Sequence, residues 1–297
     1  MNVLSLFDGI SCGMVALERD LIPVDRYVAY EIDENAIKVS STNYPQIEHM
    51  GSVIDADFTP YEGFDLLIGG SPCQNLSCMG NGEGLWGEES SLFFEYVRAL
   101  KEVKPKWFLL ENNASMSAKN KETISKIMGC EPVYIDSKDF SAQNRKRLYW
   151  TNIPVADWTP LNITLGDIIE PIEDKQEYLF TEKALKYLSD EYKGRKIQNC
   201  VRNKIKTLDQ QSRCLGTYCG DYGNNTGLIT LYPNGDYYSI TPIEAERLQT
   251  LPDNYTACIP TKKRFFEIGN GWTVDVIAHI FKGLPRSSSW LDDLLNS

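Results

Sequence analysis

The sequence predicts an α/β protein, a mostly parallel sheet with crossover helices carrying a second, smaller lobe. Three observations carry this. Short apolar runs alternate with helix-spaced patterns over the first 150 residues, the pattern for a sheet covered by helices. From Pro154 to Ser239 the chain turns to short polar segments, with Gly216, Gly220, Gly223 and Gly227 as turn signals. Helical periodicity then resumes after Thr241. At 297 residues the chain can bury one full core and a modest appended lobe. The expected division is 1–155, 156–239 and 240–297, with the last segment returning to the first.

Asn2 to Phe7 reads as a buried strand and Cys12 to Asp20 as a helix. Arg26 to Ile32 is the next strand. Asp33 stands where a carboxylate caps a helix running to about Asn43. Phe64 to Ile68 is a strand, followed by a glycine-rich stretch from Gly69 to Gly87 and a helix from Ser91 to Val103. Lys106 to Leu110 and Arg147 to Thr151 complete the strands. Thr241-Pro242-Ile243-Glu244 opens a helix as a capping box with proline at its first position, and Val274 to Phe281 is a further helix. A parallel sheet presents ligands to the carboxyl ends of its strands. Asp8-Gly9, Glu31-Ile32, Gly70-Ser71-Pro72-Cys73 and Glu111-Asn112 are therefore the places to look for chemistry.

Composition narrows the class. No apolar run approaches the length that crosses a bilayer and no signal-like amino terminus is present, so a soluble intracellular protein is expected. Eight cysteines at irregular spacing and two histidines, His49 and His279, suit neither a disulfide framework nor a zinc cluster, and no metal is expected. The net charge of −11 argues against a protein that coats nucleic acid. The charge is uneven, however. Lys193, Arg195, Lys196, Arg202, Lys204, Lys206 and Arg213 face only Asp209 in sequence, and Lys262, Lys263 and Arg264 form a second cluster. Each run is either a solvated face or a local strip for phosphates.

Leu6-Phe7-Asp8-Gly9-Ile10-Ser11-Cys12-Gly13 puts glycines at a strand-to-helix turn, where a ligand can approach the backbone. Its spacing differs from the dinucleotide fingerprint, which disfavours a nicotinamide or flavin enzyme. Glu31 ends the second strand, where an acid can accept from ribose hydroxyls; otherwise it is a surface charge. Cys73 follows a strand in a turn stiffened by Pro72, and is either an exposed nucleophile or a buried inert thiol. Glu111 ends the adjacent strand and would face the same cleft, suited to protonating a ring nitrogen. Alternation sends Arg145 and Arg147 to one face and Lys146 to the other.

Taken in order, Phe7-Asp8-Gly9, Pro72-Cys73-Gln74, Glu111-Asn112, Gln143-x-Arg145-x-Arg147, Arg247-Leu248-Gln249 and Gly269-Asn270 resemble the motif series of the cytosine-C5 DNA methyltransferases over nearly the whole chain. Leu6-Phe7-Asp8-Gly9-Ile10, Gly70-Ser71-Pro72-Cys73, Ser91-Leu92-Phe93-Phe94-Glu95 and Trp272 are similar to the animal de novo branch. A free-standing enzyme of bacterial or phage type, cytoplasmic and monomeric, is expected. The resemblance implies a Rossmann-like methyltransferase domain with a small target-recognition lobe, S-adenosyl-L-methionine as cofactor and double-stranded DNA as partner. It implies Cys73, Glu111, Arg145 and Arg147 as catalytic residues. It implies a cofactor pocket made by Phe7, Asp8, Gly9, Ile10, Ser11, Glu31, Ile32, Ser52, Val53, Pro72, Leu92, Asn270, Gly271 and Trp272.

In the implied reaction Cys73 adds to C6 of an extruded cytosine while Glu111 protonates N3, and Arg145 and Arg147 hold the base and a phosphate. Asn75 to Glu89 would form a lid, and Met79 either enters the DNA or anchors the loop. The sequence departs from the family where Gly51-Ser52-Val53 replaces Gly-Asp-hydrophobic, leaving Ser52 or Asp55 for the adenine, and where Gly271 replaces a common serine. Target recognition is expected between Asn162 and Tyr238, with Gln198, Asn199, Asn203, Gln210, Gln211 and Ser212 near the bases. The alternatives are a tRNA cytosine-C5 methyltransferase of the same fold, lacking that branch's cysteine signature here, and a catalytically silent DNA-binding homologue.

Overall fold

Strand β1 (Asn2–Leu6) sends Val3 to one side and Leu4 and Leu6 to the other. That alternation is what a sheet buried on both faces requires. A computed structural model describes residues 1–71, 91–182, 185, 205–220 and 228–286. In it β1 is joined by β2 (Arg26–Tyr30), β3 (Glu48–His49), β4 (Leu66–Gly70), β5 (Trp107–Asn113), β6 (Val133–Asp136) and β7 (Lys146–Thr151) in one sheet, ordered β3-β2-β1-β4-β5-β7-β6. β1 to β5 run parallel, and β7 is antiparallel to both β5 and β6. The chain first builds outward through β2 and β3 and then on the other side of β1 through β4. This reversal opens a crevice at the carboxyl ends of β1 and β4.

Helix α1 (Cys12–Arg19) lies on one face of the sheet. α2 (Glu34–Asn43) follows β2, and Asp33 caps it as expected, accepting from the amides of Asn35 and Ala36 at 2.8 and 3.4 Å. α3 (Ser91–Val103) and α4 (Ala118–Met128) cover the opposite face through Phe93, Tyr96, Ile124 and Met128, packed on Leu67, Leu110 and Trp150. The strand expected to reach Ile32 ends at Tyr30, because the Glu31 carboxylate draws in the amides of Ile32 and Asp33 and turns the chain. α4 and β6 escaped the sequence reading. α4 is polar along most of its length and buries Ile124, Ser125 and Met128, too few apolar positions for a clear period.

The small lobe contains a sheet where the sequence showed only polar fragments. Its strands are β8 (Ile205–Thr207), β9 (Ile229–Leu231) and β10 (Tyr237–Ser239), with β9 central. Leu165, Leu215, Leu228 and Ile240 of this region share one core with α5 (Pro242–Leu248) and α6 (Thr261–Asn270). The expected capping box is present: the Glu244 amide donates to Thr241 Oγ1 and the Thr241 amide to Glu244 Oε2, each at 3.1 Å. α7 (Val274–Phe281) then returns to the first face, burying Ile277, Ile280 and Phe281 against α1. Among the described residues no helix is long and apolar enough to cross a membrane.

An ion pair ties this lobe to α5. Lys175 Nζ lies 2.5 Å from Glu244 Oε1, with side chains 0% and 2% exposed, and 5.2 and 5.3 Å from the ring centres of Tyr232 and Tyr238. Glu244 also accepts from the Glu170 amide at 3.0 Å. Removing one partner strands the other charge away from water. Lys175→Ala should therefore cost about 3–5 kcal/mol of stability in urea unfolding, and Lys175→Met with Glu244→Gln should recover much of it. An unchanged midpoint in Lys175→Ala would show that the pair contributes nothing.

Candidate active site

The crevice is a cleft of about 320 Å³, within the size range of small-molecule sites, roughly 300–1,000 Å³. Phe7, Asp8 and Gly9 line it from the end of β1, Glu31 from β2, Gly70 and Ser71 from β4, and Glu111 and Asn112 from β5. Arg145 and Arg147 close one side, and Asn270, Gly271 and Trp272 form a wall after α6. Ile10 and Ser11 lie beneath it: Ile10 is in the core, and the Ser11 hydroxyl donates to Asp8 and shares a hydrogen bond with Ser40 Oγ at 2.6 Å. Ile32 is 72% exposed beside Glu31.

The Ser52 hydroxyl accepts from the Ile54 amide at 3.0 Å, and Val53 is buried in the second core with its carbonyl taken by Arg98. Leu92 packs against that core. Pro72, Cys73, the expected lid with Met79, and Lys193, Arg195, Lys196, Gln198, Asn199, Arg202, Asn203 and Lys204 lie outside the described residues. Gln211 and Ser212, expected near DNA bases, are committed to the fold instead. The Gln211 amide donates to the carbonyls of Lys138, Ser141 and Ile163, and Ser212 is buried with its hydroxyl on Arg213 O.

At the centre stands Glu111. Its Oε1 meets Arg147 Nε at 2.7 Å, and its Oε2 accepts from Trp272 Nε1 at 3.1 Å. β-Pairing explains the arrangement: Glu111 is opposite Tyr149, so Arg147, two residues away on β7, shares its face. Asn112 Nδ2 donates to Ser71 O and Oγ, each at 3.3 Å, tying the end of β5 to the residue that precedes Pro72 and Cys73. Arg145, expected to touch substrate, directs its guanidinium to the carbonyls of Leu215, Gly269 and Gly271 at 3.0, 3.2 and 2.9 Å and to Cys214 Sγ at 3.5 Å. With 4% exposure it braces the cleft wall.

At the other end Glu31 accepts from the amides of Gly9, Ile32 and Asp33 at 2.8, 2.7 and 2.9 Å, so its carboxylate is held in a fixed orientation. Asp8 accepts from Tyr27 at 2.7 Å, and burial raises its pKa against the opposing hydrogen bonds.

A family model for the C-5 cytosine-specific DNA methylases matches residues 1–286. The chain belongs to this family. It is therefore a DNA (cytosine-5-)-methyltransferase, and the family implies S-adenosyl-L-methionine as its methyl donor. The methylase is 30% identical to the type II methyltransferase M1.ScrFI of Lactococcus lactis subsp. cremoris over 272 residues, 83% of this chain and 68% of that one. It is 27% identical to the type II methyltransferase M.NlaX of Neisseria lactamica, with 98% of each covered. The crystal structure of the S. pombe Dnmt2 methyltransferase shares the fold, with a TM-score of 0.74 at 18% identity over 96% of this chain and 100% of that one.

Three residues of the methylase cleft region were not singled out from sequence for the roles they occupy. One is Asn112, whose side-chain amide ties β5 to Ser71. Cys214 sits by Arg145, and although desolvation opposes ionisation, the charges of Arg145 and Arg147 and their hydrogen bonds lower its pKa. Glu267 lines the cleft at 4% exposure, and its Oε1 has no hydrogen-bond partner. No local pattern marks it, because its neighbours Glu31 and Asp33 are distant in sequence. Burial, then the charges of Asp33 and Glu31 and a hydrogen bond to Asp33, push the Glu267 carboxyl up to about 8 against the opposing charge of Lys263. Asp33 goes the other way: burial opposes, but the amides of Asn35 and Ala36 lower it.

The folded methylase thus keeps a proton on Glu267 that the unfolded chain releases above its ordinary value of 4.5, so this group's contribution to stability falls as pH rises from there to about 8. Glu267→Gln removes the dependence. In thermal unfolding its Tm advantage over wild type should grow between pH 5 and pH 8, and a constant difference would refute the assignment.

Proposed function

We propose that the methyltransferase draws a cytosine out of duplex DNA into the Glu111 end of the cleft and methylates it with Cys73 as nucleophile and Glu111 as proton donor. The observation that carries this reading is the placement of Glu111, held by Arg147 at the carboxyl ends of the strands, in the same cleft as Glu31. A stacked base is closed above and below its plane, so attack at C6 requires extrusion. The Cys73 thiolate forms a bond to C6 while Glu111 delivers a proton to N3, and the displaced electron pair makes C5 nucleophilic. C5 takes the methyl group, and loss of the C5 proton, return of the N3 proton to Glu111 and departure of Cys73 as its thiolate then restore the aromatic ring. Arg147 orients Glu111 and the base, and Arg145 holds the wall on which they rest.

The cleft suits S-adenosyl-L-methionine on three counts: an acid at the end of β2, a glycine turn after β1 with Gly9 at φ 59°, and an unpartnered buried oxygen on Glu267. When bound, the cofactor supplies the electrophilic methyl group. Glu31 would take the ribose hydroxyls, with Ile32 and Leu92 on the adenine side. Phe7, Asp8, Gly9, Pro72, Asn270, Gly271 and Trp272 would enclose the rest, with Ile10 and Ser11 supporting that turn from beneath. Ser52 or Asp55 would meet the adenine amino group, the Ser52 hydroxyl keeping a lone pair beside its bond from the Ile54 amide, with Val53 next to it. The lobe from 156 to 239 would read the target, its basic residues set against phosphates. The enzyme is proposed to act as a monomer in the cytoplasm of a bacterial or phage-infected cell.

The test is transfer of tritiated methyl from S-adenosyl-L-methionine to unmethylated duplex DNA and, in parallel, to tRNA. Wild type should label DNA, and Cys73→Ala should abolish labelling. Glu111→Gln should slow it by about 10²–10⁴-fold, the scale of general acid catalysis. Label on tRNA alone, or full activity in either variant, would overturn the reading.

A further inference from the structure

Trp272 does more in this structure than line a cleft. Its indole N–H donates to Glu111 Oε2 at 3.1 Å, on the side of the carboxylate opposite Arg147. The contact passes over Gly70, which pairs with Glu111 across β4 and β5. A Cβ on residue 70 would lie 2.9 Å from Glu111 Oε2 and 3.0 Å from Trp272 Nε1, so an ordinary side chain there would force the two apart. The ring also rests near Gly13, where an added Cβ would stand 3.6 Å from it. The backbone that carries the indole is anchored: Gly271 O accepts from Arg145 Nη2 and Gln249 Nε2 at 2.9 and 3.0 Å.

We propose that Trp272 is a positioning residue for Glu111, its N–H holding the second carboxylate oxygen and thereby tying the orientation of the acid to the wall of the cofactor cleft. The inference rests on the role given to Glu111 above. Arg147 holds one oxygen of the carboxyl group and the indole N–H the other; two donors from opposite sides define its plane. An ionised carboxylate offers about four lone-pair sites, so both oxygens remain able to take up the proton passed to the base. Asn270 and Gly271 share the wall with the indole, so a ligand packed against that wall also restrains the proton donor.

Trp272→Phe keeps an aromatic ring in the slot and deletes the donor. With saturating DNA and S-adenosyl-L-methionine, kcat should fall about 10- to 100-fold, the range of a hydrogen bond to a charged group. The KM for DNA should stay at its wild-type value, and because both substrates are saturating, any change in affinity for S-adenosyl-L-methionine does not enter kcat. Site-specific 3-benzothienylalanine at position 272, which replaces the N–H by sulfur in the same bicyclic shape, should give the same loss and keeps the test alive should Trp272→Phe not fold. Unchanged kcat in either protein, or a loss confined to cofactor affinity, overturns the proposal. Glu111→Gln run alongside separates the failures. If it retains the wild-type rate, the proton-donor reading itself is wrong; if it is slow while both Trp272 replacements are fast, only the positioning role falls.

Discussion

Everything in the cleft depends on a buried polar knot beneath it. Gln143 Nε2 donates to Leu248 O at 2.6 Å and to Gln249 Oε1 at 2.8 Å, while Gln143 Oε1 accepts from the Leu215 amide at 3.2 Å. Gln249 Nε2 donates to the carbonyls of Ile268 and Gly271, and its Oε1 also accepts from Thr273 at 2.8 Å. Arg145 completes the knot with its contacts to Leu215, Gly269 and Gly271. Both glutamines are wholly buried, where an unmatched amide costs far more than a matched one returns. The strand-bearing domain, the small lobe and the returning carboxyl-terminal segment can therefore meet in few other ways. That meeting places Asn270 to Trp272 against the cleft.

The site is acidic as well as crowded: Asp8, Glu31, Asp33, Glu111 and Glu267 all line it. Carboxylates this close are tolerated because each has a different answer to its charge. Glu31 and Asp33 take backbone amides, Glu111 takes Arg147 and Trp272, and Asp8 takes hydroxyls. Glu267 has no such donor on Oε1 and answers by retaining a proton. The net charge of −11 is thus compatible with a DNA enzyme. Part of that charge is spent inside a small-molecule cleft, where it opposes no phosphate.

Local pattern made the alternating architecture, the Asp33 cap, the Thr241 capping box and the helix from Ser91 to Val103 legible, because each depends on residues within a turn or two of one another. The ordered motifs likewise pointed to Glu111, Arg147 and the family, and the strand-end position to Glu31. They were mute on α4 and β6, whose residues are too polar or too few to declare a period, and on the small sheet, whose strands are three residues long. The motif glutamines had no assigned role until both proved to bond to each other at 2.8 Å.

The sequence by itself determined the covered parallel sheet, the strand ends that line the cleft and the methyltransferase family, since these follow from short-range periodicity and from motif order. Only the tertiary structure decided that Arg145 braces backbone carbonyls, that Gln211 and Ser212 serve the fold, that Glu267 joins Asp33 and Glu31, and that Trp272 reaches Glu111 across Gly70. Those outcomes turn on which distant segments are brought within hydrogen-bonding distance and shut off from water, a property of packing that no local stretch of sequence contains.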